Sequence, residues 1–356
     1  MSSHAPDPRL LLAAPNWFGD TLLATALIRA VKLRQPSSHL AVLAVPRAAE
    51  ILRGQPHIDE IIVYDERGSD RGWWAKRRIA QRLRAGRFDA ALLLRPSLSR
   101  AALLWWAGIP RRIGHAHPAK GWLLTDRVAP PAPAEHRADA YLRLLAAVDG
   151  PAPGDVATTF VVPDAQRALL RQWLHAQDVM NDQLLIVLHP AANWKHKRWP
   201  AERFAELGDR LQAAHGARIV ITGAEADRAV AERVRRAMHA EPIVAAGELS
   251  VPQLGALLER AELLVVNDSG PLHLAVALKR PFLALFGPTS PAMTGPYHPA
   301  RGRVLHHPDC CPQIPCYYPD DPPHAGMRSL SVEEVFASAG QLLTASTAAL
   351  RPAPHG

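Results

Sequence analysis

Short, mostly apolar runs of four to six residues, each followed by a longer amphipathic stretch, constrain this chain more than any other feature. A strand buried on both faces reads as a near-continuous apolar run, and parallel neighbours must be joined by a crossover, usually a helix. The alternation therefore predicts helices packed on both faces of a parallel sheet. It occurs twice. The first series has strands at Leu10–Ala14, Leu40–Val45, Ile61–Tyr64 and Ala90–Leu94, with helices starting near Asp20, Arg47, Trp73, Leu98 and Arg137. The second has strands at Leu184–His189, Arg218–Thr222, Ile243–Ala246, Leu263–Asn267 and Phe282–Phe286, with helices starting near Ala201, Glu225, Val251 and Gly270.

Two series in 356 residues suit two domains of ordinary size. The expected fold class is α/β, two doubly wound Rossmann-like domains facing across a cleft. The Pro-rich segment 129–136 reads as a loop inside the first domain. A second, 149–155, leads into 161–166 and reads as the hinge, because proline fixes φ and removes donors. The expected domains are thus 1–160 and 161–330. SVEEVFASAGQLL (331–343) opens with a Ser-x-x-Glu capping box and reads as a late helix (331–345), expected to pack back toward the first domain. Residues 346–356 read as a flexible tail.

Composition narrows the function. With 48% hydrophobic and 21% charged residues, a wholly disordered chain is excluded. No run of about 18 apolar residues can span a bilayer, and the first residues lack an export signal, so a cytoplasmic protein is expected. The formal charge of +8 and pI near 9.8 favour an anionic partner: nucleic acid, a phosphorylated small molecule or a membrane surface. Aromatic residues at 6% weigh against a base-stacking platform. Cys310, Cys311 and Cys316, with His306, His307 and His324 nearby, do not have the spacing of a zinc motif. They read as a loop with free thiols, and no metal is expected.

Ligands of doubly wound sheets bind beyond the carboxyl ends of strands, so polar residues following strands carry the weight. LLVVNDSGPLHLAVAL (263–278) runs a buried strand through Asn-Asp-Ser-Gly-Pro into an apolar helix. Its amino end suits a phosphate or diphosphate, with Asp268, Ser269, Gly270 and His273 around it. Asp268 or Ser269 capping the helix with no ligand is the alternative. Asp20, after Gly19, stands at another strand-to-helix junction, either as an N-cap or as an ionised general base. Lys195, Lys197 and Arg198 crowd HPAANWKHKRWP (189–200), as a diphosphate site or a solvated basic loop. Glu225 can accept from ribose hydroxyls or cap its helix. The stretch 76–87, with Arg95, Arg100, Arg111 and Arg112, reads as a solvated face or a site for an anionic acceptor or membrane. Neither a Gly-x-Gly-x-x-Gly run nor a Gly-Lys-Ser/Thr loop occurs, against dinucleotide dehydrogenases and P-loop NTPases.

Taken together, NDSGPLHLAVALKRP (267–281), FGPTSP (286–291), KRWP (197–200), AGIPRRIGH (107–115) and Gly19–Asp20 resemble the ADP-heptose:lipopolysaccharide heptosyltransferases, inverting enzymes of GT-B fold. The likeness spreads over most of the chain and is nearest to the heptosyltransferase II branch, which adds the second heptose. The resemblance implies Asp20 as the base that deprotonates the acceptor hydroxyl, and Lys197 as the cation against the donor diphosphate. It implies Asp268, Ser269, Gly270 and His273 around diphosphate and sugar, and Glu225 on the ribose. It further implies ADP-heptose as donor, no cofactor or metal, and Kdo-lipid A or heptosyl-Kdo-lipid A as acceptor. Arg95, Arg100 and Arg112 are expected to meet acceptor acids. An anionic inner-membrane surface is the expected partner, nucleic acid is not, and the expected location is the inner face of the inner membrane. A heptosyltransferase I acceptor, another sugar, or a non-catalytic nucleotide-sugar-binding protein are the alternatives.

Overall fold

The computed structural model describes residues 7–311, 314–316 and 325–350. The chain divides into two units, at Val161 and Val162.

In the first unit the elements are β1 (Arg9–Ala13), α1 (Phe18–Arg34), β2 (His39–Ala44), α2 (Pro46–Leu52), β3 (Glu60–Val63), α3 (Trp73–Ala85), β4 (Ala90–Leu93), α4 (Leu98–Trp106), β5 (Arg111–His115), β6 (Asp126–Val128), α5 (Arg137–Arg143) and α6 (Ala146–Asp149). The six strands are parallel, in the order β3-β2-β1-β4-β5-β6. β1 and β4 lie at the centre, where the order reverses. Leu10, Leu11 and Leu12 are fully buried there, which is why this strand reads as an unbroken apolar run.

The second unit contains α7 (Asp164–Ala176), β7 (Leu185–His189), α8 (Ala201–His215), β8 (Arg218–Ile221), α9 (Arg228–Ala237), β9 (Ile243–Val244), α10 (Val251–Arg260), β10 (Leu263–Asn267), α11 (Gly270–Ala277), β11 (Phe282–Phe286), α12 (Pro291–Thr294), β12 (Arg303–His306) and α13 (Val332–Leu350). Its sheet is again parallel, ordered β12-β11-β10-β7-β8-β9. Counted within the unit this is the same topology, with β7 and β10 at the reversal.

The late helix builds into its own unit's core: Val332, Val335, Ala339 and Leu343 form one stripe buried with Leu211, Leu283 and Leu285 of the second unit. That stripe repeats every three or four residues, so a single helix face closes the sheet beside α8. The Ser331 Oγ does accept from the Glu334 amide, 3.1 Å, as its motif implies. The chain expected to be a tail from 346 stays helical through Leu350, and 351–356 lie outside the described residues. No helix among the described residues is long and apolar enough to cross a membrane.

Candidate active site

Each sheet has a charged pair at the point where its strand order reverses, built from the residues that follow its two central strands. In the first unit, the loop after β1 leads into α1, whose first turn carries Asp20. Trp17, not Asp20, is the N-cap residue, so the capping alternative does not describe Asp20. Its carboxylate accepts from Arg95 Nη1 at Oδ2 and from Arg137 Nη1 at Oδ1, both 2.8 Å. Arg95 follows β4, and Arg137 opens α5. The Asp20 side chain is 8% exposed, whereas Arg95 and Arg137 are 48% and 34% exposed. A carboxylate gripped at both oxygens has one orientation, and each charge-assisted bond is stronger than a neutral one. Beside it, the Tyr141 hydroxyl is buried with no hydrogen-bond partner. Burial first, and the Asp20 charge second, push its pKa up.

Arg100 and Arg112, expected to face an acceptor, are placed elsewhere. The Arg100 guanidinium is buried beneath the β1–α1 loop, donating to the Ala14 carbonyl and, at 2.7 Å, to Asn16 Oδ1. Desolvation lowers its pKa. Four residues upstream of Asp20, these bonds fix the loop from which the carboxylate departs. Arg112 donates to the Leu123 carbonyl at 2.8 Å and the Ile109 carbonyl at 2.6 Å, tying β5 to its flanking loops. Arg111 is likewise held by Asp126, 2.8 Å. Of the three arginines expected to meet acceptor acids, Arg95 alone stands at the reversal point with an exposed guanidinium.

In the second unit, β7 leads through a short 3₁₀ turn, Lys195–Lys197, and β10 leads through Asp268 and Ser269 into α11. Lys197 Nζ donates to Asp268 Oδ2 at 2.6 Å, and Thr289 Oγ1 donates to the same oxygen, also 2.6 Å. Asp268 is 5% exposed and Lys197 23%. Asp268 therefore caps nothing: it holds the lysine in place. Ser269 is the N-cap residue of α11, and its Oγ is buried with no hydrogen-bond partner. An unsatisfied hydroxyl beside a cation and the Gly270 amide is a ready place for a phosphate oxygen. His273 is buried one turn further along α11.

Asn267, absent from the sequence expectations, locks the two halves of this site. Its Oδ1 accepts from the Trp199 amide at 3.1 Å, and its Nδ2 donates to the Pro190 carbonyl at 2.8 Å. It thereby joins the end of β10 to both ends of the loop that carries Lys197. Trp199 is itself buried, its indole donating to the Leu330 carbonyl at 3.0 Å. An asparagine ending a fully buried strand was the signal in the sequence. Arg137 and Thr289 had no such local signal, because only the fold brings them across 117 and 21 residues.

Glu225 stands apart. It begins the 3₁₀ turn after β8, 72% exposed, and pairs with Arg228 at 3.0 Å. The bond to Arg228 holds its carboxyl below the usual range. It does not cap the turn, whose N-cap is Ala224, with Asp227 accepting from the Ala224 amide. Its carboxylate lies over Gly247: a Cβ there would fall 2.0 Å from Glu225 Oε2. Cys311 and Cys316 are buried, and the Cys310 side chain and His324 lie outside the described residues. Among the described residues no three His, Cys, Asp or Glu side chains cluster as metal ligands would.

Residues 76–316 match glycosyltransferase family 9 (heptosyltransferase), spanning β4, β5 and β6 of the first sheet, all of the second, and both charged groups except Asp20. The chain belongs to this family. Family membership makes it a glycosyltransferase. It is 30% identical to lipopolysaccharide heptosyltransferase 2 of Salmonella typhimurium over 82% of this chain and 87% of that one. To lipopolysaccharide heptosyltransferase 3 of Escherichia coli it is 27% identical, over 79% and 83%. Among solved structures, a family 9 glycosyltransferase from Veillonella parvula superposes with a TM-score of 0.86 at 25% identity, covering 97% of this chain and all of that one. The E. coli ADP-heptose LPS heptosyltransferase II gives 0.80 at 25% identity, covering 95% and 99%.

Proposed function

We propose that the chain transfers heptose from ADP-heptose to the inner core of lipopolysaccharide, at the position of the second heptose, with inversion and without a metal. The observation that carries this reading is the Lys197–Asp268 pair at the amino end of α11, with Ser269 Oγ unsatisfied beside it. A diphosphate leaving group develops negative charge as the sugar departs. The fixed Gly270 amide, the Ser269 hydroxyl and a held ammonium stabilise that charge without reorganising. In this reading Lys197, Ser269 and Gly270 meet the diphosphate, Asp268 positions Lys197, His273 lies toward the sugar, and Glu225 takes the ribose. Asp20 removes the acceptor hydroxyl proton as that oxygen attacks the anomeric carbon, and the sugar–phosphate bond breaks on the opposite face. Arg95 keeps donors to spare after binding Asp20, and these suit an acidic acceptor such as heptosyl-Kdo-lipid A.

The sugar and acceptor are supported by the relatives: four named heptosyltransferase 2 match at 27–30% identity over 81–82% of the chain. A lipid-borne acceptor suits a cytoplasmic enzyme peripheral to the inner membrane. The test separates Lys197 as a phosphate ligand from Lys197 as a partner of Asp268. Lys197→Gln alone leaves a buried carboxylate unpaired, which costs stability in itself. Lys197→Gln with Asp268→Asn removes that penalty. Turnover that stays at least about ten-fold down in the double variant supports contact with the diphosphate. Recovery to the wild-type rate contradicts it.

A further inference from the structure

Between Arg71 and Thr125 the sequence carries twelve Lys and Arg against one acid, Asp89, and five of the chain's nine tryptophans. Setting that segment aside from the chain's 41 bases and 33 acids leaves acids in the majority, so the whole positive excess resides here. The fold gathers much of it on one face of the first unit. α3 buries Ala75, Ile79, Ala80 and Leu83 against the sheet and turns Trp73, Trp74, Lys76, Arg77, Arg78, Arg82 and Arg84 outward. Trp73 stacks on Trp106 at the end of α4, ring centroids 4.7 Å apart, which joins the two helices into one patch. Trp73, Trp74 and Trp105 are 64%, 74% and 60% exposed. The Arg77 guanidinium lies 5.8 Å from the Trp74 ring. Arg78 and Arg82 pair with Asp70 and Glu60, while among the described residues Lys76 and Arg77 face no acid.

Three open indoles on and beside a helix that turns five cations outward are costly on a surface that meets only water, and such patches mark an interaction site. We infer that the outer face of α3 and the end of α4 dock on an anionic lipid bilayer. Indoles settle at the level of the headgroups, with the ring in the apolar boundary and the N–H toward water. Lysines and arginines beside them meet the lipid phosphates, and stably peripheral binding takes both kinds of contact. Nucleic acid fits less well, because Trp73 already gives a ring face to Trp106 and the rings crown outward helices rather than line a groove. The placement has a use. The patch runs along α3: Trp73 and Trp74 open it at the sheet edge beyond the carboxyl ends of the strands, the edge from which Asp20 and Arg95 also leave, and Trp105 lies toward the other end, where Arg84 donates to the Trp106 carbonyl. A bilayer held there lies on the side of the unit where a lipid-borne acceptor has to arrive. In that last point alone the inference rests on the proposed transfer to such an acceptor.

The test is co-sedimentation of the full chain with vesicles of phosphatidylcholine mixed with phosphatidylglycerol, against phosphatidylcholine alone, with tryptophan emission read in parallel. Wild type should bind the mixed vesicles, shift its emission to the blue and release as salt rises. Trp73→Ala/Trp74→Ala/Trp105→Ala should bind at least about ten-fold more weakly, and so should Lys76→Glu/Arg77→Glu. All five side chains are exposed, so both variants should fold. The tryptophan variant should turn over an acceptor stripped of its acyl chains at the wild-type rate. Undiminished binding by it, equal binding of wild type to neutral vesicles, or an oligonucleotide that displaces the vesicles would overturn the inference. If wild type turns over neither the intact nor the stripped acceptor yet binds vesicles through its tryptophans, the docking surface stands and the transfer reading falls.

Discussion

At the residue scale two carboxylates are held in opposite circumstances. Asp268 is committed to Lys197 and Thr289 and acts through them, whereas Asp20 is oriented by two arginines that themselves reach solvent. Asp20→Asn should cut turnover by about 10²- to 10⁴-fold, the usual contribution of a general base, while calorimetry finds ADP affinity within about two-fold of wild type. Arg137→Ala frees one carboxylate oxygen without touching the donor site. It should lower kcat about ten-fold or more with KM for ADP-heptose unchanged, and Arg137→Lys should restore part of the loss. Equal damage to kcat and donor KM would assign Arg137 a merely structural role. His189, at the end of β7, is buried against Thr222 Oγ1 at 3.0 Å, and desolvation lowers its pKa to about 4. The unfolded chain then binds the extra proton first, so stability is full above pH 6.5 and falls as the pH drops toward 4, by about 3 kcal/mol in all. Urea titrations of wild type and His189→Gln across that range should show the extra slope in wild type only.

At the scale of elements, the buried strands were legible and the edges were not. Leu263–Asn267 and Phe282–Phe286 run between the residues expected, and the strands at Leu10, Leu40, Ile61 and Ala90 shift by a single position or less. Such strands are buried on both faces, so the solvent preference of every side chain points the same way. β5, β6 and β12 went unread. RRIGH opens with two arginines, and DRV and RVLH are half-polar edge strands whose pairing, not their composition, makes them strands. α7 was hidden too, since Pro163 is its N-cap residue and the preceding prolines read as hinge. In the site, loops following central strands were legible because doubly wound sheets put ligands there, whereas a sequence does not show that the guanidinia of Arg100 and Arg112 are bonded to backbone carbonyls. Two element-scale outcomes follow. Asn267→Ala should cost about 2–3 kcal/mol in chemical denaturation, because the Trp199 amide and Pro190 carbonyl lose their partners while buried. Gly287→Ala would place a Cβ 2.9 Å from the Met327 backbone nitrogen, pushing the 3₁₀ turn Gly326–Ser329 off β11, at about 1–3 kcal/mol.

At the scale of the whole molecule, one topology is used twice, and each copy places a carboxylate and a cation across its two central strands. In the first the carboxylate is the buried member and the arginines that hold it reach solvent. In the second the buried carboxylate holds the lysine. On the proposed reading Asp20 takes the acceptor proton and Lys197 meets the leaving diphosphate, the two tasks that transfer of a sugar from a nucleoside diphosphate requires. The division is tested most directly by following ADP release and product mass with ADP-heptose and either Kdo-lipid A or its mono-heptosylated form, in the presence of EDTA. Wild type should add one heptose to the mono-heptosylated acceptor, and Asp20→Asn none. No transfer to either acceptor by a wild-type chain that still binds ADP would contradict this division.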